Sequence, residues 1–80
     1  MRVNILAFGI EKDIFGSNVI DVELQEHDTT SVLKQNLEER YPRLKQLASY
    51  MVAINSEYAQ DDYIIKTLDE IAIIPPVSGG

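Results

Sequence analysis

No cysteine occurs in this chain of 80 residues, and histidine occurs once, as His27. The first absence excludes a disulfide staple, an iron–sulfur cluster and a thiolate nucleophile. The second argues against a histidine-based metal site, so a bound metal is not expected. Long apolar runs are also missing, since none approaches the roughly 20 residues that span a bilayer. The opening Met1-Arg2-Val3-Asn4 leads directly into a strand pattern, without a signal peptide's apolar stretch and cleavage site. A cytoplasmic location is the expectation. Positive charge is scarce and scattered: seven Lys and Arg face thirteen Asp and Glu, for a formal charge of −6. Nucleic acid and anionic membrane, which need clustered cations, are poor partners for such a surface. A basic protein partner suits it better, and plain solubility is the simpler reading of the same charge.

What is present is one domain's worth of ordinary globular sequence, 45% hydrophobic and 25% charged. A chain this short hides only about 60% of the surface that its unfolded form exposes, so its core is thin and a cleft between domains is excluded. Val3 to Phe8 alternates as a strand, with Val3, Ile5 and Ala7 on one face and Asn4, Leu6 and Phe8 on the other. Gly9 closes it, and a loop is expected over Ile10 to Asn18, ending in the turn Gly16-Ser17-Asn18. Val19 to Leu24 reads as a half-solvated strand, with Ile20, Val22 and Leu24 inward, in a hairpin with the first.

Thr29 or Thr30 is the expected cap of a helix whose stripe is Val32, Leu33, Leu37 and Tyr41, and which stops near Pro42. One further turn is expected at Leu44, Leu47 and Ala48. Tyr50 to Ile54 is a third strand, Asn55-Ser56-Glu57 a turn and Tyr58-Ala59 a short continuation. Tyr63-Ile64-Ile65 and Leu68 supply apolar anchors for an irregular connection, and Asp69-Glu70 turns the chain into a last strand, Ile71 to Ile74. This order predicts an α+β fold, a ubiquitin-like β-grasp whose mixed sheet carries one main helix on one face. The domain spans 1–74, and 75–80 is an extended C-terminal tail.

The body offers no active site. His27 sits among charged neighbours in a polar loop, far from the Ser-His-acid arrangement that hydrolysis needs. The acid pairs Glu38-Glu39, Asp61-Asp62 and Asp69-Glu70 show no sign of the burial that would separate their pKa values for acid/base work. A glycine-rich phosphate cradle is missing as well. The tail is different. Pro75 and Pro76 stop the last strand and favour an extended path, Val77 and Ser78 are small, and Gly79 and Gly80 let a partner close tightly on the backbone. Such a tail can thread a narrow tunnel and deliver a carboxylate. Adenylation by ATP would make that carboxylate electrophilic, and attack by a sulfur donor would leave a thiocarboxylate.

The ending Ile71-Ala72-Ile73-Ile74-Pro75-Pro76-Val77-Ser78-Gly79-Gly80 resembles the hallmark tail of the MoaD family, the small subunits of molybdopterin synthase. Asp69-Glu70, Val3 to Phe8 with Asp13-Ile14-Phe15-Gly16, and Met51 to Asn55 carry the resemblance through the rest of the chain. Thiamine-pathway sulfur carriers also end in Gly-Gly but usually lack the Pro-Pro-Val-x-Gly-Gly form. The resemblance implies that Gly80 is adenylated by an E1-like enzyme that uses ATP, and is then converted to the thiocarboxylate. It implies insertion of the tail into the large synthase subunit, within a heterotetramer, and sulfur donation to precursor Z. The chain itself would bind no cofactor, and the catalytic residues would lie in the large subunit. Phe8 and Ile74 match partner-contacting positions, and Leu6 could join them; burial of Leu6 and Phe8 under a loop is the alternative. Ile73-Ile74 stands where relatives often carry aromatics. A ubiquitin-like modifier, a sulfur carrier for thiamine or tRNA thiolation, and a passive binding module are the other functions compatible with the sequence.

Overall fold

In the computed structural model, which describes residues 1–47 and 50–74, the N-terminal alternation becomes strand β1, Arg2–Ala7, with Val3, Ile5 and Ala7 buried. Gly9 then turns the chain at φ 60°, ψ −131°, backbone angles that a side chain disfavours. The loop expected over Ile10 to Asn18 is instead largely a helix, α1, Ile10–Phe15. A six-residue helix is too short to leave a periodic signature. Tertiary contacts hold it: Phe15 is buried against Tyr41, with ring centroids 4.7 Å apart, and Glu11 is buried as well. Gly16, at φ 76°, closes α1 by donating its N–H to the Lys12 carbonyl at 2.9 Å, so the turn expected there is present.

Strand β2, Val19–Glu23, pairs antiparallel with β1 and buries Ile20 and Val22, with Leu24 buried just beyond it. Helix α2, Thr30–Arg40, is capped by Thr29, whose Oγ1 accepts from the Val32 N–H at 3.4 Å. Its buried stripe is Thr30, Leu33 and Leu37; Val32, expected in that stripe, is only half-buried. Leu33 and Leu37 are fully covered, each contributing about 1.5–3 kcal/mol. A 3-10 turn, Pro42–Gln46, follows and buries Leu44. The expected turn thus forms around Leu44, while Ala48 falls outside the described residues.

Strand β3, Met51–Ile54, meets β4, Glu57–Tyr58, through Asn55 and Ser56, both at positive φ (55° and 71°), as a two-residue hairpin turn requires. Of the apolar anchors expected in the next connection, Ile65 is buried and Tyr63 half-buried. Ile64 and Leu68 are not anchors, and Leu68 is 94% exposed. Asp69 holds the connection as well. Its carboxylate accepts from the Asn55 side chain at 2.9 Å, the Tyr63 hydroxyl at 2.9 Å and the Lys66 N–H at 2.8 Å. Strand β5, Ile71–Ile74, then enters the middle of a five-stranded sheet ordered β2-β1-β5-β3-β4, parallel to β1 and antiparallel to β3. With α2 packed on one face, this is the β-grasp arrangement.

Candidate docking face and C-terminal strand

Alternation gives the sheet a second face that the described residues leave uncovered, and the strand register decides which side chains meet there. Leu6 lies opposite Val19 on β2 and beside Ala72 on β5; Ala72 pairs with Ala53 on β3, and Ala53 with Tyr58 on β4. The result is an apolar row running across all five strands. A second row lies one step towards the C-terminal end of β5. Met51 pairs with Ile74, and continuing the register from Ala7↔Ile73 brings Phe8 level with Ile74. Phe8 is 50% exposed, Val19 and Met51 are exposed, and Leu6 and Ile74 are half-buried. The opposite end of the same face is polar, carrying Arg2, Asn4, Asp21 and Glu23, with Arg2 Nε 4.0 Å from Glu23 Oε2.

The sequence-derived contacts Leu6, Phe8 and Ile74 therefore come together, and Phe8 is not core beneath a loop. Pro75, Pro76, Val77, Ser78, Gly79 and Gly80 lie outside the described residues; in the sequence they follow directly from Ile74. Sequence reasoning missed Val19, Met51 and Tyr58, whose membership depends on long-range register, and Lys12, which lines a groove with Leu6, Ala7, Phe8, Gly9 and Asn18.

Burial, reinforced by donation to Glu38 at 2.5 Å, pushes the Tyr50 hydroxyl above its ordinary range. At Asp69, desolvation opposes ionisation, but the three hydrogen bonds and the nearby Lys66 charge outweigh it and hold the carboxyl below its ordinary range. His27 is exposed in its loop, at φ 75°. Among the described residues no three His, Cys, Asp or Glu side chains converge as a metal site, and no helix is long and apolar enough to cross a membrane. Among the described residues, the open apolar face is the candidate functional surface.

Fold and face together define a ubiquitin-like β-grasp domain whose middle strand ends within an exposed apolar face. A profile of the ThiS family matches residues 5–80, and the chain belongs to that family. The molybdopterin synthase sulfur carrier subunit of Dictyostelium discoideum is 41% identical over 83 residues, covering 99% of this chain and 96% of that protein. Among solved structures, a protein described as molybdopterin converting factor subunit 1 from Pyrococcus furiosus superimposes with a TM-score of 0.88 at 22% identity. That match covers 96% of this chain and 99% of the other. A complex of subunits 1 and 2 of molybdopterin-converting factor from Helicobacter pylori contains a chain matching all of both sequences at 23% identity, with a TM-score of 0.70.

Proposed function

We propose that this chain is the sulfur-carrier subunit of a molybdopterin synthase and that its working group is the carboxylate of Gly80. In this reading the carboxylate attacks the α-phosphorus of ATP on an E1-like enzyme, releasing pyrophosphate. A hydrosulfide-equivalent donor then adds to the acyl carbon, AMP leaves, and Gly80 carries a thiocarboxylate. The open face docks on the large subunit, the tail enters that subunit's active site, and sulfur passes to precursor Z. Two carriers and a dimer of large subunits make the heterotetramer. The chain supplies no catalytic side chain and binds no cofactor of its own.

The observation that carries this reading is the position of Ile74. It ends a strand hydrogen-bonded on both sides, β1 and β3, and it lies beside Phe8 and Met51 on the exposed apolar face. The same surface that holds a partner thus roots the six residues that would reach into it. Relatives named as molybdopterin synthase sulfur carrier subunits support the choice of pathway over protein modification or thiamine synthesis. Intact-mass analysis after incubation with ATP, the activating enzyme and a sulfur source tests it. A single sulfur-for-oxygen replacement at the terminus, absent when Gly79 and Gly80 are deleted, is the expected result. Isopeptide remnants on other proteins, without sulfur exchange, would instead identify a modifier.

A further inference from the structure

Lys12 is one of only seven basic residues in this acidic chain, yet it lies in the wall of the groove at the apolar end of the open face. Local geometry puts it there. Gly9 turns the chain sharply out of β1 into α1, and the Lys12 N–H donates to the Gly9 carbonyl at 3.2 Å, which folds the first turn of α1 back beside Phe8. Lys12 is exposed and makes no ion pair among the described residues, whereas Arg2 approaches Glu23 and Lys34 pairs with Asp61 at 3.0 Å. At the far end of the face stand two exposed carboxylates: Glu23 has the N-terminal ammonium 3.9 Å and the Arg2 guanidinium 4.0 Å away, whereas Asp21 makes no ion pair among the described residues.

We propose that Lys12 sets the orientation of docking by pairing with a carboxylate on the large synthase subunit, next to the apolar side chains that cover Phe8. The inference rests on the docking reading above and deepens it. Contact with Phe8 and Leu6 strips water from the groove, and an ammonium left there without a counter-charge costs more than the apolar contact returns. A carboxylate offsets that cost, and a partner lysine or arginine at the same point is rejected. At the far end the carboxylate of Asp21, which no cation among the described residues pairs, asks for the opposite sign. Such a partner fits one way round only, because rotating it by half a turn in the plane of the face sets like charges together at both ends.

Orientation matters because the tail is short. From Arg2 to Phe8 the face spans about 20 Å at roughly 3.3 Å per residue. The six residues from Pro75 to Gly80 reach about 20 Å at full extension. A reversed docking would displace the root of the tail by about its whole reach, and the terminal group could not arrive at the partner's active site. The apolar rows supply adhesion, which has no direction; the charge supplies the direction.

The test measures association of the full chain with the large subunit at several salt concentrations, comparing wild type, Lys12→Glu, Lys12→Met and Lys45→Glu. Lys45 is exposed on the 3-10 turn, on the helix side of the sheet, so its reversal changes net charge equally without touching the face. Lys12→Glu is expected to slow association about tenfold at low salt, with the difference closing as salt rises and Lys12→Met falling between. Lys45→Glu should stay within about twofold of wild type, reflecting net charge alone. Equal behaviour of Lys12→Glu and Lys45→Glu at every salt concentration would overturn the Lys12 assignment while leaving the docking reading intact. A wild-type chain that fails to bind the large subunit would overturn both.

Discussion

At the scale of single residues, Glu11 stands out. Its side chain is fully buried in α1, and neither carboxylate oxygen has a hydrogen-bond partner among the described residues. Burial pushes its carboxyl above the ordinary value of 4.5. The folded state therefore holds this proton more tightly than the unfolded chain does. Stability from this group is fully present below about pH 4.5 and is lost as pH rises through the raised native value, with a slope of up to about 1.4 kcal/mol per pH unit. Glu11→Gln, which is neutral at every pH, should remove that slope; urea unfolding at a series of pH values measures it. A wild-type profile that is flat over the same interval would contradict the assignment. Asp69 has the opposite sign, since its depressed carboxyl stabilises the fold above its ordinary range and releases that stability on acidification.

At the scale of elements, α1 shows where sequence patterning runs out. Its existence was not legible because six residues contain fewer than two turns, and a buried glutamate contradicts the binary pattern outright. Its end was legible, because Gly16 lies in a turn-like Gly-Ser-Asn run. A Cβ built at Gly16 would meet nothing within 4 Å, so space does not require glycine there. The positive φ of 76° does. Gly16→Ala is accordingly expected to cost about 1–2 kcal/mol, read as a lowered urea midpoint, from backbone strain alone. In contrast, α2 was readable at both ends: Thr29 offers the cap and Pro42 the stop, each through local chemistry that the rest of the fold does not override. Leu68 was misread for the reverse reason, since nothing in its neighbourhood tells an apolar residue that the chain will turn it outward.

At the scale of the whole molecule, the core and the proposed docking surface lie on different faces of one sheet. Val3, Ile5, Ile71 and Ile73 point into the core, while Leu6, Phe8, Ala72 and Ile74 point away from it. The two tasks should therefore be separable by mutation. Phe8→Ala is expected to weaken binding to the large subunit by about 1–3 kcal/mol, as an exposed aromatic anchor does, and to leave the thermal midpoint nearly unchanged. Calorimetric titration beside a thermal melt checks both halves. Unaltered binding would remove Phe8 from the interface, and a collapsed melt would return it to the core.

The local rules of capping, alternation and turn chemistry were enough to determine most elements of this chain and the inward and outward sides of β1, because each depends on residues within a few positions of one another. Only the tertiary structure decided that Val19, Leu6, Ala72, Ala53 and Tyr58 form one row, that Lys12 borders it and that Glu11 is buried. Those outcomes depend on the register of strands up to about seventy positions apart, and register is set by packing of the whole core.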